Sequence, residues 1–225
     1  IQKINNRNTT VKTRIISDNK HVLRVDEERA DTINDDNLSN QLEKMILEND
    51  FDVVIFEDYN KGLLSTKLIQ KSIAAARQKG IPTIVDPKKD NFLAYKGVNV
   101  FKPNLKEIKE GLNVDFDVQS KGELSKNVEL LRDKLDAKGI LLTLSEHGIY
   151  FQNNKNVYRE PAHKRNIVDV SGAGDTVVSV AALALACGLD SEYMMRIANL
   201  AGGLVCEKVG VVPIQKLDLL QASKK

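Results

Sequence analysis

Tryptophan is missing from this chain altogether, and aromatic residues make up only 5% of it, which leaves little surface on which nucleobases can stack. Neither sign of charge predominates. The 33 basic side chains are matched by 31 acidic ones, so no net field draws the protein to nucleic acid or to an anionic membrane surface. No hydrophobic run reaches the length of a membrane span, and the first residues carry no signal-peptide pattern. Cys187 and Cys206 are the whole cysteine complement. Both fall in apolar helical surroundings and read as buried, reduced thiols of a cytoplasmic protein rather than as a disulfide framework. His21, His147 and His163 lack the spacing of metal ligands. Repeats and low-complexity tracts are absent. What remains is an ordinary globular composition over 225 residues, long enough for one substantial core with a small appendage.

The pattern of apolar residues alternates between strands and helices. Val11 to Ile16 and His21 to Val25 predict a hairpin around Ser17-Asp18-Asn19-Lys20. A polar, acidic stretch from Asp26 to Asn40 precedes helical spacing at Leu42, Met45 and Ile46. Asp52 to Phe56 predicts a buried strand. Ser65 caps a helix with Leu68, Ile69, Ile73 and Ala76 on its apolar side, closed by Gly80 and Pro82. Thr83 to Val85 and Val98 to Phe101 are further strands, the second leading into a helix from Leu105 to Gly111. A helix over about Lys121 to Leu135 returns as a strand at Gly139 to Thr143. Gly148 to Phe151 and Asn156 to Arg159 predict a hairpin turning at Asn153-Asn154. Helices follow at Ala173 to Cys187, Ser191 to Lys208 and Ile214 to Ala222. This order implies a mostly parallel sheet covered by helices on both faces, and such sheets bind ligands beyond the carboxyl ends of their strands. Asp58 and Lys61, Asp86 and Lys88, Asn104, and Thr143 with Ser145 each follow a predicted strand end.

The most telling segment is Asp169-Val170-Ser171-Gly172-Ala173-Gly174-Asp175-Thr176, which opens directly into an apolar helix. A glycine turn at a helix start offers free backbone N–H groups and the positive end of the helix dipole. A carboxylate there repels a bound anion. Asp175 makes chemical sense if it takes a proton from an attacking hydroxyl while the amides hold the developing charge, the arrangement of phosphoryl transfer to an alcohol. The plain alternative is a turn followed by a first-turn Asp that merely complements the dipole. Lys102-Pro103-Asn104-Leu105-Lys106-Glu107 has the spacing of a capping box. Leu142 to Gly148 reads as strand, turn and strand.

Taken together these segments resemble the ribokinase-like (PfkB) family of carbohydrate kinases. Asp-Tyr-x-Lys-Gly at Asp58 to Gly62 and Asp-Pro-Lys at Asp86 to Lys88 are similar to the branch that phosphorylates heptose 7-phosphate for lipopolysaccharide core synthesis. The resemblance implies a three-layer α/β/α fold with a mostly parallel sheet and a small β lid at 11–25, on a single domain spanning 1–225 that lacks the family's usual N-terminal portion. It implies ATP and Mg²⁺ as cofactors, Asp175 as catalytic base, and an anion hole from the amides of Gly172, Ala173 and Gly174. By the same resemblance Asn104 and Glu107 support the phosphates and hydrated magnesium. The nucleotide lies against Thr143, Ser145 and Gly148, with adenine near Asn199 to Gly203. Ser145 stands where the family often has glycine. Asp58, Lys61 and Lys88 are implied on the substrate side, and Arg14 and Arg24 on the lid are placed to meet a sugar phosphate. The lid often builds a homodimer in this family. The expected partner is thus a small sugar phosphate, with no nucleic acid and no membrane. Two alternatives stay open: a kinase of the same fold for another sugar or a nucleoside, and a non-catalytic relative that binds nucleotide or sugar.

Overall fold

The computed structural model describes residues 7–18, 20–33, 36–163 and 165–224. Asn19, in the predicted hairpin turn, lies outside them. Eight strands and seven α-helices are formed among the described residues. β1 (Val11–Ser17) and β2 (Lys20–Glu27) make an antiparallel ribbon of their own. α1 (Asp36–Glu48) then leads to the main sheet of six strands in sequence order: β3 (Val54–Glu57), β4 (Thr83–Asp86), β5 (Val100–Phe101), β6 (Gly139–Thr143), β7 (Ile149–Asn153) and β8 (Val157–Glu160). The first four strands run parallel, and β7 and β8 are antiparallel additions.

The two faces of this sheet follow from the period-two alternation of side chains. Phe56, Val85, Phe101, Ile140 and Leu142 point to one face, where they meet α2 (Thr66–Gln78), α3 (Leu105–Leu112) and α4 (Lys121–Leu135) through Ile69, Ile108, Val128 and Leu131. Ile84, Val100, Leu141, Ile149 and Phe151 point to the other, against α5 (Ala173–Ala186) and α6 (Ser191–Val205). α5 is apolar nearly all round, as a helix enclosed by a sheet and a neighbouring helix must be. α1 lies outside α2, joined through Ile46, Ala75, Ala76 and Ile81. The layers are α/β/α.

Capping fixes where the helices begin. Ser65 accepts from the Leu68 amide at 3.3 Å. Asn104 and Glu107 form a reciprocal box, each side chain accepting from the other's backbone N–H at 2.9 Å. The Asn153 side chain closes the β7–β8 turn by accepting from the amides of Lys155 and Asn156. Several boundaries differ from the sequence expectation, three of them near the site or the C-terminal helices. β5 keeps only Val100 and Phe101 of the predicted four residues. α6 stops at Val205, short of Lys208, because the Cys206 carbonyl turns to accept from the amides of Val168 and Asp169. α7 (Lys216–Ala222) starts two residues late.

The β1–β2 ribbon is anchored at its base. The Arg7 guanidinium bonds the carbonyls of Arg29, Asp31 and Lys61, and Lys61 pairs with Glu28. A two-stranded ribbon has little stability alone, so these polar ties and the contact of Lys12 with the Tyr59 ring, 5.6 Å from the centroid, hold it beside the sheet.

Candidate active site

Four parallel strands end on one edge, and each contributes a polar group there. Glu57 closes β3, Asp86 closes β4, Lys102 follows β5 and Thr143 closes β6. Asp175, in the first turn of α5, is exposed and meets this edge. The nearest carboxylate oxygens of Glu57, Asp86 and Asp175 all lie within 4.8 Å of one another. Lys102 supplies their counter-charge. Its Nζ is 3.0 Å from Asp86 Oδ1, with side-chain exposures of 3% and 9% for the two partners.

One ammonium against three carboxylates leaves the group short of positive charge, and the site keeps a proton instead. Burial, then the charges of Asp86 and Asp175, push the Glu57 carboxyl up to about 8. Burial also raises Asp86, against the pull of Lys102 and Lys88. The Tyr59 hydroxyl donates to Asp175 Oδ1 at 3.1 Å, and burial followed by the Asp175 charge holds that phenol protonated far above its usual range.

The expected anion hole is the turn before α5. Gly172 adopts φ +81° at the helix N-cap, a left-handed conformation that suits glycine. Asp169 shapes the approach: Oδ1 accepts from the Ser171 amide and Oδ2 from the Gly210 amide, both at 2.9 Å. Those bonds hold the Asp169 carboxyl below its usual range. The Ala173 N–H already bonds the Val170 carbonyl at 3.2 Å. Of the expected set Gly172, Ala173 and Gly174, Ala173 alone has its N–H engaged in this way, and the Asp175 amide joins Gly174 as a first-turn donor with no intrahelical acceptor. A β carbon on Gly174 would sit 3.8 Å from Lys102 Nζ and 3.7 Å from Asp86 Oδ2, so the turn and the buried pair adjoin.

The remaining expected residues divide. Lys88 donates to Glu107 Oε1 at 2.6 Å, and Asn104 is bridged to Thr143 across the strand ends, which brings Lys88, Asn104, Glu107 and Thr143 into one row beside Asp86. Burial disfavours the Lys88 charge, but the Glu107 bond and the Asp86 charge outweigh it and raise its pKa. Asp58 faces the other way. It is buried and accepts from the Asn60 amide at 2.8 Å, Asn91 Nδ2 at 3.1 Å and the Tyr95 hydroxyl at 2.7 Å. A strand shows consecutive side chains to opposite faces, so Glu57 enters the site and Asp58 does not. Lys61 is engaged with Glu28 at the base of the ribbon. On α6, Asn199 donates to the Pro161 carbonyl at 3.0 Å, and a β carbon on Gly203 would meet Arg165 at 3.2 Å. Pro161 and Arg165 thus meet the helix face expected to hold adenine. Gly148 answers to packing: a β carbon there would lie 2.1 Å from the Glu160 carbonyl oxygen.

Ser145 sits at φ +51°, which explains why a glycine suits the position. Relief of the left-handed strain, less the added chain entropy of glycine, predicts that Ser145→Gly stabilises the protein by about 0.5 kcal/mol, read from urea unfolding midpoints.

Arg14 and Arg24 pair directly across the ribbon. They share the face that carries Lys12, and Arg24 is tied to Asp26 at 2.8 Å. The Arg14 charge reaches Asp169. Sequence reasoning passed over Glu57, Tyr59, Lys102 and Asp169. The available signals were the strand-end position of Glu57 and the lysine directly before Pro103-Asn104.

Over residues 1–216 the chain matches the family described as pfkB family carbohydrate kinase. It is 38% identical over 210 residues to the bifunctional protein HldE of Aliarcobacter butzleri, covering 92% of this chain and 43% of that protein. It is 35% identical over 225 residues to the bifunctional protein HldE of Pseudomonas savastanoi pv. phaseolicola, covering 100% and 46% respectively. The chain therefore spans less than half the length of these curated relatives. Phosphofructokinase-2 from Escherichia coli, in complex with substrates and products, aligns with a TM-score of 0.77 at 21% identity, over 96% of this chain and 69% of that one. Arabidopsis thaliana ribokinase, complexed with ribose and ATP, aligns at 0.71 and 17% identity, over 90% and 66%. At those identities the likeness concerns the fold, which is ribokinase-like.

Proposed function

We propose, for a chain that belongs to the pfkB family of carbohydrate kinases, that it transfers the γ-phosphoryl group of ATP to the anomeric hydroxyl of a heptose 7-phosphate, with Asp175 as general base. The observation that carries this reading is the exposed Asp175 carboxylate at the start of α5, next to the first-turn amides and at the carboxyl edge of the parallel strands. Asp175 takes the hydroxyl proton as the sugar oxygen bonds to the γ-phosphorus and the bond to the β,γ-bridging oxygen breaks, releasing ADP. The Gly174 and Asp175 amides face the charge on the travelling group, and Lys88 extends the positive edge of the site.

Glu107 engages each of its oxygens once, with Lys88 and with the Asn104 amide. A lone pair is left on each, a hard-oxygen donor of the kind that suits a hydrated magnesium ion. Asn104 and Glu107 would hold that ion's water, and the ion when bound neutralises phosphate charge. On the ribbon, Arg14 and Arg24 supply guanidinium groups for the 7-phosphate. The opposite side of the ribbon bears Val11, Ile15, Leu23 and Val25, all about half exposed, and in this reading it pairs with the same ribbon of a second copy. Among the described residues no helix is long and apolar enough to cross a membrane.

The test is an ATP-dependent assay against heptose 7-phosphate, fructose 6-phosphate, ribose and adenosine, with phosphorus NMR of the product. The heptose is expected to exceed ribose and adenosine by about 100-fold in kcat/KM, because a site built for a phosphate rejects acceptors that leave its charges unpaired, while fructose 6-phosphate keeps the phosphate and tests the sugar alone. Preference for another acceptor would replace the substrate assignment. ATP binding without turnover on any of them would favour a non-catalytic relative.

A further inference from the structure

The base in this reading does not stand alone. Its carboxylate is flanked by a phenol on one side and by a second carboxyl on the other. The Tyr59 hydroxyl donates to Oδ1, and Glu57, at the end of β3, brings its carboxyl within 4.8 Å of Asp175 and of Asp86. Two carboxyl groups that close can share one hydrogen bond only if one of them keeps its proton.

Resting on the assignment of Asp175 as base, we infer that Glu57 is a positioning residue, whose protonated carboxyl holds Asp175 from the β3 side while Tyr59 holds it from the other, and whose deprotonation shuts the site. The groups facing Glu57 weigh toward this, with Lys102 alone among the causes pulling the other way. Asp86 on β4 and Asp175 on α5 disfavour its charge, and Lys102 after β5 is already paired with Asp86. Lys88 is paired with Glu107, and Tyr59 remains protonated. Burial and its acidic neighbours thus push the Glu57 carboxyl up to about 8. Once ionised it repels Asp175 and adds a negative charge beside the amides that must receive an anionic phosphoryl group.

The experiment is a pH–rate profile of the full chain with ATP and its best acceptor, for the unaltered protein, Glu57→Gln, Glu57→Leu and Asp175→Asn. The unaltered protein is expected to lose kcat/KM for ATP about tenfold per pH unit above an apparent value near 8. Glu57→Gln keeps a donor to Asp175 without a titrating proton. It is expected to lose about three- to tenfold in kcat at neutral pH and to show no alkaline fall up to about pH 9.5. Glu57→Leu, with no donor, is expected to lose about 100-fold at every pH. An unchanged alkaline limb in Glu57→Gln would overturn the inference, as would its absence in the unaltered protein, which requires no variant to fold. Retained turnover in Asp175→Asn would instead overturn the base assignment on which it rests, so the two failures are distinguishable.

Discussion

Asp175→Asn is expected to lower kcat by about a thousandfold while changing ATP affinity by less than about threefold. The substitution preserves shape, and the amide oxygen can still accept from Tyr59 at the distance Asp175 Oδ1 now occupies. Main-chain donors of the Gly174 turn are untouched, so nucleotide phosphates meet the same amides. What is lost is the ability to take a proton. The cluster also sheds one negative charge, which relieves Glu57 and draws its carboxyl back toward the ordinary range, since the Asp175 charge is one of the causes that raise it. Stability should therefore hold or rise, and a loss of turnover cannot be attributed to unfolding. Calorimetric titration with ATP and steady-state ADP release measure the two halves of this expectation. Turnover within tenfold of the unaltered protein would remove the base role.

The fold was largely legible because its two periodicities are clean. The strands alternate faces residue by residue, and the helices carry caps whose spacing can be read directly, as at Ser65 and Asn104. The site was legible only where function and backbone coincide, in the turn that opens α5. Elsewhere a single residue of register decided the matter. Glu57 and Asp58 are adjacent carboxylates at one strand end, and alternation sends them to opposite faces. Nothing in their spacing tells which face carries the chemistry. That depends on Asn91 and Tyr95, distant residues that enclose Asp58. Lys102 was hidden by a sound prior, since lysines are seldom fully buried unless paired, and its partner lies on a different strand. At Asn199 and Gly203 on α6 the expectation rests on the resemblance alone, since the Pro161 carbonyl and the Arg165 side chain that meet them lie in irregular chain with no periodicity to read.

Lys102→Met is expected to destabilise the protein by about 3–5 kcal/mol at pH 8, because it leaves the Asp86 carboxylate buried without its partner. Loss of a surface ion pair would cost far less. Here both side chains are almost fully enclosed and the nearest remaining groups, Glu57 and Asp175, are acidic. The cost should shrink at low pH. Burial already raises Asp86 above its unfolded value with Lys102 in place, and removing the ammonium raises it further. Between the unfolded and folded values the native state holds the extra proton, so stability falls as pH rises through that window. Urea unfolding at pH 5 and pH 8 should thus show the larger loss at the higher pH. The double change Asp86→Leu with Lys102→Met removes both charges and should return stability to within about 1 kcal/mol of the unaltered protein, since a buried pair is often replaceable by apolar groups of similar volume. Turnover should not return with it. The double change also removes the ammonium that lies beside the Gly174 turn, and an apolar pair fills the space without that charge.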